Sequence, residues 1–109
     1  MSENRRRLER RRVEIAVIAQ NGVDDEPLGK LVNIHEEGLM IMSEGPLQTE
    51  SIYQLELVLA TPIDNEDSIP LVADCLWQSP ANTEGSYWVG FKIVEVSNKS
   101  IDLIGRLSQ

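Results

Sequence analysis

From residue 13 onward, apolar and polar positions alternate with a period of two. Val13, Ile15, Val17 and Ala19 fall on one face, and Glu14, Ala16, Ile18 and Gln20 on the other, which predicts a strand over residues 13–20. Asn21-Gly22 and Pro27 punctuate its end. A second strand is predicted over 28–34. His35-Glu36-Glu37-Gly38 then makes a tight connection in which Gly38 supplies a positive φ. A third strand over 39–43 is closed by Glu44-Gly45-Pro46. Alternation resumes over 52–59, where Leu55, Leu57 and Leu59 share a face, and a polar, acidic loop is expected over 61–68. Two further strands, 69–78 and 87–94, are separated by residues 79–86. The first puts Leu71, Ala73, Cys75 and Trp77 on one face, and the second Val89, Phe91 and Ile93.

The period changes near the end of the chain. Ser97 is placed to cap a helix, and Ile101, Ile104 and Leu107 follow at intervals of three, with Leu103 beside them. Arg106 in the last turn suits the helix dipole. Six short strands without intervening helices predict a mainly β domain, an antiparallel barrel or sandwich. A closed barrel leaves no exposed strand edge, and the terminal helix would cover one open end.

Composition narrows the function classes. The 109 residues suit one domain with one core, and 41% apolar with 26% charged residues is a soluble globular balance. No apolar run approaches the roughly 20 residues that span a bilayer. The apolar stretch 13–19 after the basic N-terminus is short, carries Glu14 and leads to no small-residue cleavage site. The reading is therefore a cytoplasmic protein that does not insert into membranes. Cys75 is the lone cysteine and His35 the lone histidine, which leaves no disulfide and little for a metal site. Nucleophilic catalysis needs a nucleophile beside a base. Cys75 sits in an alternating strand as a small core residue, and there is neither a Walker loop nor a G-x-G-x-x-G motif. The chain is read as a non-enzyme.

Charge then changes the picture. Residues 1–12 hold six Arg against two Glu, a charge of +4, whereas residues 13–109 hold four basic and sixteen acidic residues, a charge of -12. Such a body repels a long nucleic acid, whose binding rests on many phosphate contacts. The arginine-rich stretch 5–12 is either a grip for a small anion or a solvated tail, as charge runs usually are.

Within this arm stands Arg6-x-x-x-Arg10, and about 23 residues later Asn33-Ile34-His35-Glu36-Glu37-Gly38 spans a strand–turn–strand junction. Here the chain resembles the PilZ family, bacterial receptors for cyclic di-GMP, whose motifs R-x-x-x-R and [D/N]-x-S-x-x-G occur in this order. The strand 71–78 and the later Tyr87-Trp88-Val89-Gly90-Phe91 also look like the family's late strands. The resemblance covers essentially the whole chain. It implies a six-stranded antiparallel PilZ-like β-barrel over 13–109 with a C-terminal α-helix, preceded by a flexible Arg-rich arm over 1–12.

The resemblance also implies a ligand and a site. Arginine suits cyclic di-GMP, because its fork pairs with phosphate oxygens and with guanine O6 and N7, and its flat face stacks on a base. Carried over residue by residue, Arg6 and Arg10 match the first motif. Arg7-x-x-x-Arg11 fits it as well, so Arg5, Arg6, Arg7, Arg10 and Arg11 all stand as candidates. Asn33 and Gly38 match the second motif, and His35 stands at its Ser position. Imidazole can donate or accept a hydrogen bond but is larger than a hydroxyl. Trp77 lies where some members set an aromatic against guanine; core packing beside Cys75 is the alternative. The implied function is a receptor that changes conformation on binding cyclic di-GMP and signals to a partner effector protein. A degenerate domain that binds no nucleotide and serves protein–protein interaction is the alternative. A single-stranded RNA binder is disfavoured by only five aromatic residues.

Overall fold

The computed structural model of the chain describes residues 11–12 and 15–107. Among the described residues seven strands and one helix follow in order: β1 (Arg11–Arg12), β2 (Val17–Asn21), β3 (Pro27–His35), β4 (Gly38–Ser43), β5 (Ser51–Ile63), β6 (Glu66–Pro80), β7 (Tyr87–Glu95) and α1 (Asn98–Leu107). All strand pairings are antiparallel. The order β3-β2-β5-β6-β7-β4 returns to β3 through a β3–β4 ladder, so six strands close into a barrel. The short β1 pairs with the end of β3 that β2 leaves free, with Arg11 opposite Ile34 and Arg12 opposite Asn33.

Period-2 alternation fills the barrel. Val17 and Ala19, Leu55, Leu57 and Leu59, Ile69, Leu71, Ala73 and Cys75, and Val89 and Phe91 are all buried. A fully buried Leu or Ile contributes about 1.5–3 kcal/mol of transfer free energy. The inward faces of the six strands thus supply the main stabilising term. The expected strand over 13–20 is realised over Val17–Asn21, while Val13 and Glu14 lie outside the described residues.

The expected acidic loop over 61–68 is instead the tip of a long hairpin. β5 runs to Ile63 and β6 starts at Glu66, with Ile63 paired to Glu66. Asp64 and Asn65 both hold positive φ, 53° and 66°. Asp and Asn tolerate this region better than other residues with a Cβ, and a two-residue turn of this hand matches the twist of its strands. Polarity marked the turn correctly but overstated its length.

α1 packs its apolar face into the barrel core. The Ser100 amide donates to Ser97 Oγ at 3.1 Å and the Ile101 amide to Ser97 O at 2.9 Å, so Ser97 is the N-cap. Leu103, Ile104 and Leu107 are buried, and Ser100 Oγ donates to Pro70 O at 3.3 Å. Lys99 pairs with Glu66 at 2.5 Å and Arg106 with Asp64 at 2.9 Å. The helix is thereby tied to the β5–β6 tip.

Candidate functional site

The barrel wall is best described by rows of directly paired residues. One row runs Ile34–Leu39–Phe91–Cys75 across β3, β4, β7 and β6. All four side chains are buried and point inward. The rows on either side therefore face outward, because neighbouring residues of a strand alternate between faces. The first outer row is Asn33–Met40–Gly90–Trp77, and the backbone of Arg12 continues it on β1. The second is His35–Gly38–Lys92–Asp74.

The structure thus brings four sequence-predicted site residues, Asn33, His35, Gly38 and Trp77, onto one patch. They line a cavity of about 100 Å³ with Met40 and Gly90. Arg5, Arg6, Arg7 and Arg10 lie outside the described residues. The backbone of Arg11 and Arg12 forms β1 beside Ile34 and Asn33. A larger cavity of about 390 Å³, lined by Ile18, Leu28, Lys30 and Met42 among others, holds none of the motif residues.

Each member of the patch has a specific environment. Asn33 Oδ1 is buried and has no hydrogen-bond partner among the described residues. An unmatched buried acceptor costs about 1–3 kcal/mol, so this atom is suited to a donor brought by a ligand. His35 Nδ1 accepts the Glu37 amide at 3.1 Å. With Nδ1 accepting, Nε2 is the ring nitrogen placed to donate. His35 thus closes the turn as a hydroxyl does in a serine turn. The turn is tied to β7, where the Ile93 amide donates to Glu37 O at 2.9 Å.

Two expectations need correction. Gly38 is not one of the glycines with positive φ, which are Gly45 and Gly85. Its role is close approach: a Cβ at this position would stand 2.7 Å from the backbone O of Phe91. Trp77 does not share the face of Leu71, Ala73 and Cys75. The β6–β7 register shifts between Cys75 and Trp77, so the extra residue Leu76 forms a bulge and reverses the parity. Cys75 stays fully buried while Trp77 is 45% exposed on the outer wall. Burial, and secondarily the Asp74 carboxylate beside it, raise the Cys75 thiol above its ordinary pKa.

Two members were missed from the sequence. A Cβ on Gly90 would overlap Nε1 and Cε2 of Trp77, so the indole lies against a bare stretch of β7. A glycine inside a predicted strand is a signal for such close approach or a bulge. Lys92, exposed beside Gly38 in the second row, carried no sequence signal.

The comparisons agree with this architecture. The profile of the PilZ domain matches residues 4–109. Among solved structures, the chain is similar to the Bacillus subtilis inhibitor of motility (MotI/DgrA), with a TM-score of 0.66 and 13% identity. That similarity covers 92% of this chain and 48% of the other, so the chain spans about half the length of that protein. At this identity the likeness concerns the fold. No curated protein sequence matches the chain. PilZ domains are generally cyclic di-GMP receptors or adaptors and bind rather than catalyse. With its six-stranded barrel, its terminal helix and a family match over nearly its whole length, this chain belongs to the PilZ domain family.

Proposed function

We propose that this protein is a cyclic di-GMP receptor in which the arginine arm closes over a dinucleotide seated on the outer wall at Asn33, His35, Gly38 and Trp77. The observation that carries the reading is the row Asn33–Met40–Gly90–Trp77, with the unmatched Asn33 Oδ1 at one end and a half-exposed indole at the other. Asn33 Oδ1 would accept from the N–H edge of a guanine, and the indole would stack on a base. The His35 Nε2–H would supply a donor beside that acceptor. The cavity of about 100 Å³ is too small to enclose a dinucleotide. Most of the second wall must come from elsewhere, and the arm is attached where it is needed. β1 runs antiparallel to β3, with Arg12 opposite Asn33 and Arg11 one position nearer His35. Arg6 and Arg10, or Arg7 and Arg11, would then grip phosphate and guanine.

Closing the arm on the ligand would reshape the barrel surface, and an effector protein would read that change in the cytoplasm. Calorimetric titration with cyclic di-GMP tests the reading. Micromolar or tighter binding is expected, with loss in the Arg6→Ala, Arg10→Ala double variant. An unchanged titration in that variant would sink it.

A second reading is a domain that has given up the nucleotide and serves as an interaction module. It is favoured by His35 at the Ser position and by the exposed apolar side chains of Ile52, Leu76 and Val94 on β5, β6 and β7. Well-folded wild-type protein that gives a flat titration would select it.

A further inference from the structure

Lys92 is the lysine of the second outer row, and its surroundings fit it for anion contact. Its register partners are Gly38 on β4 and Asp74 on β6. Gly38 has no side chain, and the Phe91 carbonyl beneath it leaves no room for one. His35 stands opposite Gly38 on the far side. No side chain of this row therefore stands between Lys92 and the imidazole. Two strand spacings separate their backbones, roughly 10 Å, a gap that a lysine stem and an imidazole can close from both sides on a group the size of a phosphate.

The other described cations are placed differently. Lys99 and Arg106 are paired with Glu66 and Asp64 at the hairpin tip. Lys30 lies in a different row, between Ile18 and Met42. Lys92 forms no ion pair among the described residues, although Asp74 is its cross-strand neighbour. Glu36 and Glu37 on the adjacent turn are exposed carboxylates. An anion over Gly38 therefore gains from a cation fixed on the sheet that offsets this acidic rim.

We infer that Lys92 and His35 form a phosphate-reading pair across the bare surface of Gly38, an inference that rests on the nucleotide reading above. One phosphate of the ligand would sit between the Lys92 ammonium and the His35 Nε2–H. The pair would make the site select a phosphodiester over an uncharged nucleoside, through a contact held by the barrel.

Titration of Lys92→Gln and Lys92→Arg with cyclic di-GMP at low and moderate salt tests this. Lys92→Gln is expected to weaken binding on the order of tenfold or more and to flatten its salt dependence. Lys92→Arg should keep both. Thermal unfolding should be unchanged in either variant, because the side chain is exposed. Wild-type affinity and salt dependence in Lys92→Gln would overturn the inference while leaving the receptor reading intact. A flat titration of the wild type would overturn the receptor reading and this inference together.

Discussion

The indole of Trp77 occupies the space that a Cβ at position 90 would fill. The pairing of Trp77 with Gly90 across the β6–β7 ladder is thus a steric dependency: the aromatic lies on the wall only because the strand beside it is bare. Gly90→Ala should keep the barrel but lift the indole, at a cost of about 1–3 kcal/mol from overpacking. In a Trp88→Phe background, tryptophan emission should shift on this substitution. Unchanged emission would show that the indole does not rest on Gly90.

Trp77→Ala separates a binding residue from a core residue. The side chain is 45% exposed, so truncation should lower stability by less than the 3–5 kcal/mol of a buried aromatic. If the indole stacks on a guanine, the same change should weaken cyclic di-GMP binding by about 1–3 kcal/mol. A large drop in melting temperature with intact affinity would refute both expectations.

The alternation of Leu55, Leu57 and Leu59, and of Val89 and Phe91, made the barrel's inner face legible, because strand faces repeat with period two and burial selects one of them. Ser97 was legible as a cap for an equally local reason. What was not legible depended on pairing between distant strands. The bulge at Leu76 is a property of the β6–β7 register, and no local pattern in residues 69–78 places it. It moves Trp77 from the inner face to the outer wall. Gly38 was assigned a turn conformation because local sequence offers that explanation first, whereas the constraint comes from Phe91, 53 positions away. Lys92 joins the outer row only through its register with Gly38. Asn33 and His35 stand in a motif, but the buried acceptor of one and the accepting nitrogen of the other arise only in the folded chain.

The helix offers a contrast between a backbone cap and an exposed ion pair. Ser97→Ala removes the acceptor of the Ser100 amide and should cost about 1 kcal/mol. Arg106→Ala breaks a pair with Asp64 whose side chains are both more than half exposed, so it should cost about 0–1 kcal/mol. Chemical denaturation of the two variants should rank them in that order. Added salt should narrow the difference between wild type and Arg106→Ala.

Cys75 should be inert in the folded protein. It is fully buried and its pKa is raised, first by desolvation and then by Asp74, so the thiol rather than the thiolate is held. The unfolded chain ionises at the ordinary thiol pKa, near about 8.5, below the folded value. The stabilising contribution is therefore fully present below that pH and is lost as pH rises through the folded pKa. Iodoacetamide labelling at pH 8 should proceed only on unfolding. Cys75→Ser should flatten the alkaline loss of stability. Rapid labelling of the native protein would contradict this placement.

His35 is the residue on which the receptor and interaction-module readings divide, and its hydrogen bond to the Glu37 amide makes the division measurable. His35→Ala removes both the acceptor for that amide and the Nε2–H. Exchange of the Glu37 amide with solvent should speed up, and stability should fall by about 0.5–1.5 kcal/mol. His35→Ser replaces the imidazole with a hydroxyl that can accept the same amide two residues on. It should restore slow exchange. If the imidazole only closes the turn, His35→Ser should bind cyclic di-GMP as well as the wild type, while His35→Ala binds less well. If the Nε2–H also touches the ligand, His35→Ser should keep the turn yet lose affinity unless its hydroxyl reaches the same atom. Wild-type exchange at Glu37 in His35→Ala would remove the turn-closing role, and with it the reason for reading this histidine as a replacement for serine.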